Sequence, residues 1–483
     1  MDQRELLISL TFAGYLLVIL VIGVIAWHRT RNLSDFVLGG RRLGSWVTAL
    51  SASASDMSGW LLLGLPGYAY VAGLESFWLA FGLLVGTWLN WRLVAGRLRI
   101  ASEEAGNALT LPQYLSNRFH DDSGLIRVVS SLFVLLFFLF YTSSGLVAGG
   151  KLFEAVFGLP YLWAVSLGTL TIILYTAFGG FLAVSWTDLF QGLLMAAALV
   201  AVPLFAMDLT DGGAGAIATI HEQNPELLDP FTNSDGEALG IIAILSLLAW
   251  GLGYFGQPHI LARFKAVRDA SLVPQARRIA VSWVFLTLTA ACLVGLMGIP
   301  VFETPLEDAE KVFIHLVDLL FHPLIAGICL AAILAAVMST ADSQLLVSSS
   351  AFTGDIYRVL FRKGANEREL VLVGRLAVLT IALAAFLLAM NPENKVLDLV
   401  AYAWAGFGAA FGPAVLLSLY WRGMNRWGAL AGILVGGITV VVWKPLEGGL
   451  FDLYEIVPGF VASMLAIVLV SRLSQPNSSS PGR

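Results

Sequence analysis

The chain has 483 residues, of which 58% are hydrophobic and 13% are charged, and its mean hydropathy is +0.81. A soluble domain of this size could not cover its surface with so few charged groups, so the composition indicates a polytopic membrane protein. The net charge of −5, without a basic block, argues against nucleic acid as a partner. Cys292 and Cys329 lie inside apolar runs, which favours buried free thiols over a disulfide or a metal site.

Apolar runs of about 20 residues recur along the whole chain, which is the length that a bilayer requires. They predict an all-α polytopic membrane protein with about 13 transmembrane helices. The predicted spans are 6–27, 44–72, 75–96, 125–150, 161–179, 188–207, 238–260, 279–302, 323–350, 371–390, 396–421, 427–445 and 453–471.

The basic residues divide unevenly between the two sides of these spans. If the N-terminus is outside, 23 of the 28 Lys and Arg residues fall on the inner side. The connection 208–237 carries acidic residues and no Lys or Arg, and it falls on the outer side. Because inner loops of membrane proteins are enriched in Lys and Arg, the sequence predicts an outer N-terminus and a cytoplasmic C-terminus in the plasma (inner) membrane.

Two of the spans contain residues that interrupt helices. The second span reads "SASASDMSGW" followed by "GLPGY", and the seventh reads "WGLGYFGQPH". Asp56, in the first of these runs, costs on the order of 2.5–3.5 kcal/mol at the bilayer centre, which favours a functional role. Broken helices at matching positions, five spans apart, are typical of transporters built from an inverted five-plus-five repeat. The alternative is that Gly and Pro serve only close helix packing.

A third polar cluster ends the ninth span, "LAAVMSTADSQLLVSSS". Hydroxyls such as those of Ser339 and Thr340 often bond their own backbone or join helices. Together with free carbonyls from an unwound helix, they would also suit a hard monovalent cation. The residues alone leave both interpretations open.

Five stretches resemble the sodium/solute symporter family, and most closely its bacterial proline-transporting branch, over about residues 34–425. These stretches are "ASDMSGWLLLGLPGY", "NALTLPQYLSNRF", "YTAFGGFLAVSWTDLFQG", "AWGLGYFGQPHI" and "AAILAAVMSTADSQLL". The resemblance implies a LeuT-type core of ten helices, from the second to the eleventh span, with one extra helix before it and two after it.

This core implies a division of the chain into six parts. They are an N-terminal helix and inner loop (1–43), a first five-helix repeat (44–207), an acidic outer loop (208–237), a second five-helix repeat (238–421), two C-terminal helices (422–472) and a disordered tail (473–483).

The resemblance also implies site residues. The sodium ligands would be the backbone carbonyls of Ala54, Met57 and Ala336 and the hydroxyls of Ser339 and Thr340, with Asp56 important for sodium coupling. The substrate contacts would be Ser58, Gly59, Trp60, Tyr141, Trp250, Tyr254 and Pro258. Arg41 and Asp188 match charged positions that the family needs for turnover.

The expected function is therefore secondary active transport of Na⁺ together with L-proline, with Na⁺ as the co-transported ion and no organic cofactor. An alternative keeps the fold and changes the solute or ion, as in a Na⁺ or H⁺ symporter for pantothenate or another amino acid. A channel, a sensor and an intramembrane enzyme are disfavoured, because no filter motif, kinase domain or metal spacing of histidines is present. The expected surroundings are membrane lipid, with no obligatory protein partner.

Overall fold

The computed structural model describes residues 3–27, 38–176 and 181–474. These residues form helices joined by loops, and no strand occurs among them. The helices up to the acidic loop are α1 (Gln3–Trp27), α2 (Ser45–Ala54), α3 (Leu65–Ala72), α4 (Ser76–Asn90), α5 (Gly96–Glu104), α6 (Leu111–Arg118), α7 (Leu125–Phe157), α8 (Tyr161–Thr176), α9 (Phe181–Ala206) and α10 (Gly212–Gln223). The later helices are α11 (Ile241–Leu248), α12 (Pro258–Ala266), α13 (Val273–Val301), α14 (Val312–Leu320), α15 (Pro323–Ala351), α16 (Glu367–Ala389), α17 (Val396–Tyr420), α18 (Arg426–Trp443) and α19 (Ile456–Leu473).

Helices lie at all thirteen predicted spans, although residues 177–179 of the fifth span fall outside the described part of the chain. By length and hydropathy, ten described helical stretches could cross a membrane, or eleven if Ile241–Gly256 and Pro258–Ala266, bent by 47°, form one span. The lower count has two causes. Trp60–Glu104 counts as one stretch although Gly73, with φ +60° and ψ −135°, interrupts it, and of the fifth span only Tyr161–Ile172 is described with side chains, which is fewer than the 18 residues that a span needs.

The helices are arranged around α15. In the apolar 18-residue stretch of α15, 83% of the residues are buried, whereas in those of α1 and α16 the buried share is 22%. Helix α15 packs against α1, α7 and α9, and α2 packs against α9 and α13. The two predicted breaks therefore lie inside the bundle, and α1 and α16 present apolar side chains outward, as expected for helices that face lipid.

Loops from distant parts of the chain meet at the two ends of the bundle. At one end, Arg41 Nη1 donates to the Lys265 carbonyl at 3.0 Å and Thr110 Oγ1 donates to Asp355 Oδ2 at 2.7 Å. We call this the basic end, because it gathers the loops that carry most of the Lys and Arg. At the other, the acidic end, Trp78 Nε1 donates to the carbonyl of Pro230 at 2.7 Å. Which end faces the cytoplasm stays a prediction from the charge distribution.

Candidate ion and substrate site

The first break separates α2 from the π-helical turn Trp60–Gly64 that leads into α3. Helix α2 ends at Ala54, and over the following residues the backbone bonds become irregular. Asp56 N and Met57 N both donate to the Ser53 carbonyl, at 3.2 and 2.9 Å, and Ser58 N donates to the Asp56 carbonyl at 3.0 Å. A segment of small residues, rich in Ser, favours such an interruption because Ser competes for backbone hydrogen bonds. Carbonyls in the break become available to groups on other helices.

Four of the five predicted sodium ligands meet where this break touches α15. Ser339 Oγ lies 2.9 Å from the Ala54 carbonyl oxygen and 3.1 Å from that of Ala336. Thr340 Oγ1 lies 3.4 and 3.0 Å from the same two oxygens. All four residues are buried. The result is a compact set of four uncharged oxygens, two of them from hydroxyls that can rotate their protons away from a cation.

Met57, the fifth predicted ligand, makes its contacts elsewhere. Its N–H donates to the Ser53 carbonyl, and Thr287 Oγ1 on α13 lies 3.7 Å from its sulfur. No contact described in the structure joins the Met57 carbonyl to the Ser339 and Thr340 hydroxyls, so its role stays a prediction.

Asp56 connects the two broken helices. Its Oδ2 accepts a hydrogen bond from the Tyr254 hydroxyl at 2.9 Å. Its backbone carbonyl accepts one from the Tyr141 hydroxyl at 2.7 Å and one from Trp60 Nε1 at 3.2 Å. The residue is 1% exposed, and its Oδ1 has no hydrogen bond among the described residues. A buried carboxylate oxygen without a donor has capacity for a cation or for a donor on a ligand.

The second break consists of a 3₁₀ turn, Ala249–Gly256, followed by Gln257 and α12. The Tyr254 ring lies edge-on to Trp404 of α17, with centroids 4.9 Å apart, and Trp404 Nε1 donates to the Trp250 carbonyl at 2.7 Å. A Cβ on Gly253 would lie 1.9 Å from Trp404 Nε1, so only glycine permits this approach. The Trp250 ring stacks on Tyr454, with centroids 5.4 Å apart. Trp404 and Tyr454, which hold the two predicted aromatic residues, were not among the predicted site residues.

The remaining predicted substrate residues differ in position, because Trp60 and Tyr141 contact the Asp56 carbonyl whereas Pro258 lies apart. Ser58, Gly59 and Trp60 form the end of the first break, where a Cβ on Gly59 would lie 2.4 Å from the Ala148 Cβ of α7. The Tyr141 ring, also on α7, lies 5.8 Å from that of His259. Pro258 starts α12, as suits a residue without an N–H.

Pro258 lines a separate narrow cavity of about 20 Å³ together with Leu109, Lys265 and Leu346. This cavity lies toward the basic end, where Lys265 Nζ donates to the Leu109 carbonyl at 2.7 Å. Pro258 is therefore not part of the aromatic group around Asp56.

The two predicted turnover charges lie in different surroundings. Asp188 Oδ2 accepts hydrogen bonds from Ser51 Oγ at 2.6 Å and Arg263 Nη2 at 3.1 Å, and both charged side chains are fully buried. Arg263 also donates to Ser51 Oγ, Ser343 Oγ and the His259 carbonyl. Arg263 was not among the predicted site residues, although an arginine at the end of an apolar run indicates that it needs a partner within the bundle.

Arg41 lies at the basic end and makes no contact with Asp188 in the part of the chain that the structure describes. It donates to the carbonyls of Lys265 and Ala108 and to Ser102 Oγ at 3.0–3.4 Å. Partial burial lowers the pKa of its guanidinium. Arg41 thus joins the loop before α2 to α5, to the loop that follows α5 and to the last turn of α12.

Comparison with known proteins decides the family. The model of the Sodium:solute symporter family matches residues 36–436. The chain belongs to this family. Its members are transporters rather than enzymes, and sodium is the ion that they co-transport. The chain is 51% identical over 475 residues to the sodium/proline symporter of Escherichia coli K12, with 97% of this chain and 93% of the relative covered. It is 49% identical to a high-affinity proline transporter of Bacillus subtilis, with 95% and 96% covered.

Solved structures with low sequence identity show that this family member has the predicted fold. A Na⁺-coupled sialic acid symporter in a substrate-bound outward-open state matches with a TM-score of 0.81 at 20% identity, over 97% of this chain and 98% of that one. The nucleobase-cation symporter Mhp1 matches with a TM-score of 0.57 at 15% identity, over 92% and 96%. The prediction of an all-α polytopic membrane protein of LeuT type is confirmed.

Proposed function

We propose that this protein carries Na⁺ and L-proline together into the cell by alternating access. The observation that carries the proposal is the set of oxygens from Ala54, Ala336, Ser339 and Thr340, together with Asp56, two residues after Ala54 in the first break, whose Oδ1 has no hydrogen bond among the described residues. The relatives named as sodium/proline symporters, about half identical over nearly the full length, support proline as the solute.

Sodium would bind at the oxygens of Ala54, Ala336, Ser339 and Thr340, with the Met57 carbonyl as a fifth ligand. Uncharged oxygens at membrane depth replace the hydration shell of a hard monovalent cation. The Ser339 and Thr340 hydroxyls now donate to carbonyls. When Na⁺ binds, both hydroxyls would rotate so that their oxygen lone pairs face the ion. The ion would then bridge the hydroxyl and carbonyl oxygens in place of the hydrogen bonds between them.

Proline would bind between the two breaks. Its carboxylate needs donors, which the Ser58 hydroxyl offers and which the N–H groups of Met57 and Ser58 would offer on releasing the Ser53 and Asp56 carbonyls. Its pyrrolidine ring needs apolar walls, and its cationic nitrogen is attracted to aromatic faces. Tyr141, Trp250 and Tyr254 provide these walls. Pro258 would contact the solute later, on its way toward the basic end.

The contacts of Asp56 suggest how the ion and the solute are coupled. Sodium at Ala54 would tie α2 to α15 and order the segment that follows. That segment carries Asp56, which binds the Tyr254 hydroxyl on the second break. An ordered first break would therefore place Tyr254 for the solute. By linkage, proline must then strengthen sodium binding by the same factor.

The sodium gradient supplies enough free energy for accumulation. A potential of 100 mV contributes ~2.3 kcal/mol per charge, and a tenfold sodium gradient adds ~1.4 kcal/mol. With one Na⁺ per proline, the sum of ~3.7 kcal/mol supports roughly 500-fold accumulation. The proposed orientation puts the N-terminus outside and the basic end in the cytoplasm of the plasma (inner) membrane.

Uptake of labelled L-proline into proteoliposomes tests the proposal. An inward sodium gradient should drive accumulation, which should collapse when the gradient is dissipated by a sodium ionophore. An excess of unlabelled proline should abolish the signal, while an equal excess of pantothenate should leave it unchanged. Accumulation driven equally by a proton gradient in sodium-free buffer, or blocked equally by pantothenate, would contradict the proposal.

A further inference from the structure

A polar cavity of about 130 Å³ lies at the basic end, between α6, α7, the π-helical turn Phe352–Phe361 and α16. None of its lining residues is a predicted ion or substrate residue, although Leu109, Thr110 and Ser350 also line the narrow cavity beside Pro258. Its polar lining includes Thr110, Gln113, Arg127, Ser350, Thr353 and Arg358. Asp355 also lines it, but this carboxylate is already neutralised by Arg127, whose Nε and Nη2 both lie 2.7 Å from its Oδ1. Asp355 also accepts a hydrogen bond from Thr110 Oγ1.

Two groups in this cavity remain available to a ligand. Arg358 is exposed and makes no ion pair within the described ranges. The Thr353 hydroxyl is buried, with the residue 8% exposed, and has no hydrogen-bond partner there. A guanidinium beside an unpaired hydroxyl suits a phosphate oxygen. The segment 358–375, which begins with Arg358, is positively charged overall, because it contains five Lys and Arg residues and two Glu.

An apolar groove of about 610 Å³ adjoins the cavity on the outer surface of the bundle. Residues that are adjacent in the chain line one space or the other. The groove is lined by Phe352, Tyr357 and Val373, and the cavity by their neighbours Thr353, Arg358 and Gly374. The groove continues along α7 past Leu135 to Leu139 and along α16 to Ala384. Leu136 and Leu376, which also line it, are 37% and 54% exposed.

The depth of the groove corresponds to one leaflet. From Arg127 in the cavity to Leu139 in the groove, α7 rises about 18 Å, and α16 rises about 21 Å from Leu370 to Ala384. One half of a bilayer hydrocarbon core is about 15 Å thick. A molecule with its charged group in the cavity would therefore reach the bilayer centre with its apolar part in the groove.

We infer that the cavity and groove together bind one anionic phospholipid of the leaflet at the basic end. The phosphate contacts Arg358 and Thr353, and an acyl chain lies between α7 and α16. Basic pockets between transmembrane helices on the cytoplasmic side are suited to anionic headgroups. The site is separate from the sodium and proline site, so this inference holds or fails independently of the transport proposal.

Native mass spectrometry of the full-length purified protein, titrated with phosphatidylglycerol or with phosphatidylcholine, tests the site. We expect one phosphatidylglycerol to stay bound at collision energies that strip phosphatidylcholine. Arg358→Gln should lower this occupancy at least fivefold, whereas Arg375→Gln, which removes an exposed charge that does not line the cavity, should leave it unchanged. Equal losses in both variants would show general surface attraction and overturn the site.

A second pair of variants tests the groove. Ala384→Phe fills its deep end and should lower occupancy by phosphatidylglycerol, while Leu383→Phe, next to it but outside the groove and 59% exposed, should not. Millimolar inorganic phosphate should not displace the lipid. Displacement by phosphate, or full occupancy in Ala384→Phe, would contradict a lipid that uses both parts. Unchanged elution of each variant in size-exclusion chromatography confirms that it is folded.

Discussion

Two buried carboxylates lie near the first break, and among the described residues only one of them has a fixed counter-ion. Asp188 has a fixed counter-ion, because Arg263 contacts it at 3.1 Å and both side chains are fully buried. Asp56 contacts no cation in the described part of the chain; Tyr254 donates to one of its oxygens, and the other has no donor. A carboxylate with a fixed partner joins helices, whereas one without a partner can attract a cation that arrives and leaves.

Asp56→Asn removes the charge that lacks a fixed partner, and we expect the largest effect on transport from it. The amide keeps the shape and an acceptor for Tyr254, so the variant should insert normally. Sodium-driven uptake should fall on the order of a hundredfold, which corresponds to about 2.8 kcal/mol, because the cation loses a negative charge in a buried, low-dielectric site. Asp56→Glu should be milder because it keeps the charge. Ordinary sodium dependence in Asp56→Asn would show that the charge is merely tolerated.

Arg263→Met tests the other carboxylate, and its main effect should be on stability. Removing one partner of a buried pair leaves an uncompensated charge on Asp188 and costs about 3–5 kcal/mol. The melting temperature of the purified protein should therefore fall, and Asp188→Asn combined with Arg263→Met should restore most of it. Asp56→Asn is the matched comparison and should leave the melting temperature unchanged or raise it. A single variant as stable as the parent, or a double variant no better than the single one, would contradict this account.

Trp250→Ala should weaken proline binding by about 1–3 kcal/mol, or roughly 5- to 150-fold, because it removes a packed aromatic wall. Tyr254→Ala should weaken proline binding similarly and should also disturb sodium dependence, since it removes the hydrogen bond to Asp56. Tyr254→Phe separates the two effects, because it keeps the ring and loses only the hydroxyl. Half-saturation constants for proline within twofold of the parent in both alanine variants would place the pocket elsewhere.

Local composition was sufficient to predict the features that depend on the backbone. Ser, Gly and Pro at 51–67 and 251–258 predicted both breaks, whereas the meeting of Ser339 and Thr340 with the Ala54 and Ala336 carbonyls was predicted only through the family resemblance. Features that depend on pairing across the bundle could not be predicted in this way. Arg263 and Asp188 are 75 positions apart, and Trp404 contacts Tyr254 from another span. A single sequence contains no signal for which of several buried residues meet.

In the proposed mechanism, the ion binds at Ser339 and Thr340 and thereby strengthens proline binding. The apparent proline affinity of Thr340→Ala, measured across a range of sodium concentrations, tests both parts of this mechanism. Loss of one oxygen should raise the sodium concentration for half-maximal uptake roughly tenfold, or by about 1.4 kcal/mol. Thr340→Ser keeps the oxygen and should behave like the parent.

By linkage, the proline defect of Thr340→Ala should shrink as sodium approaches saturation. Damage to the proline pocket itself would instead persist at every sodium concentration. We predict that the alanine variant binds proline as tightly as the parent once sodium saturates its weakened site. A proline defect that saturating sodium does not relieve, or a sodium dependence identical to that of the parent, would contradict the placement of the ion at these residues.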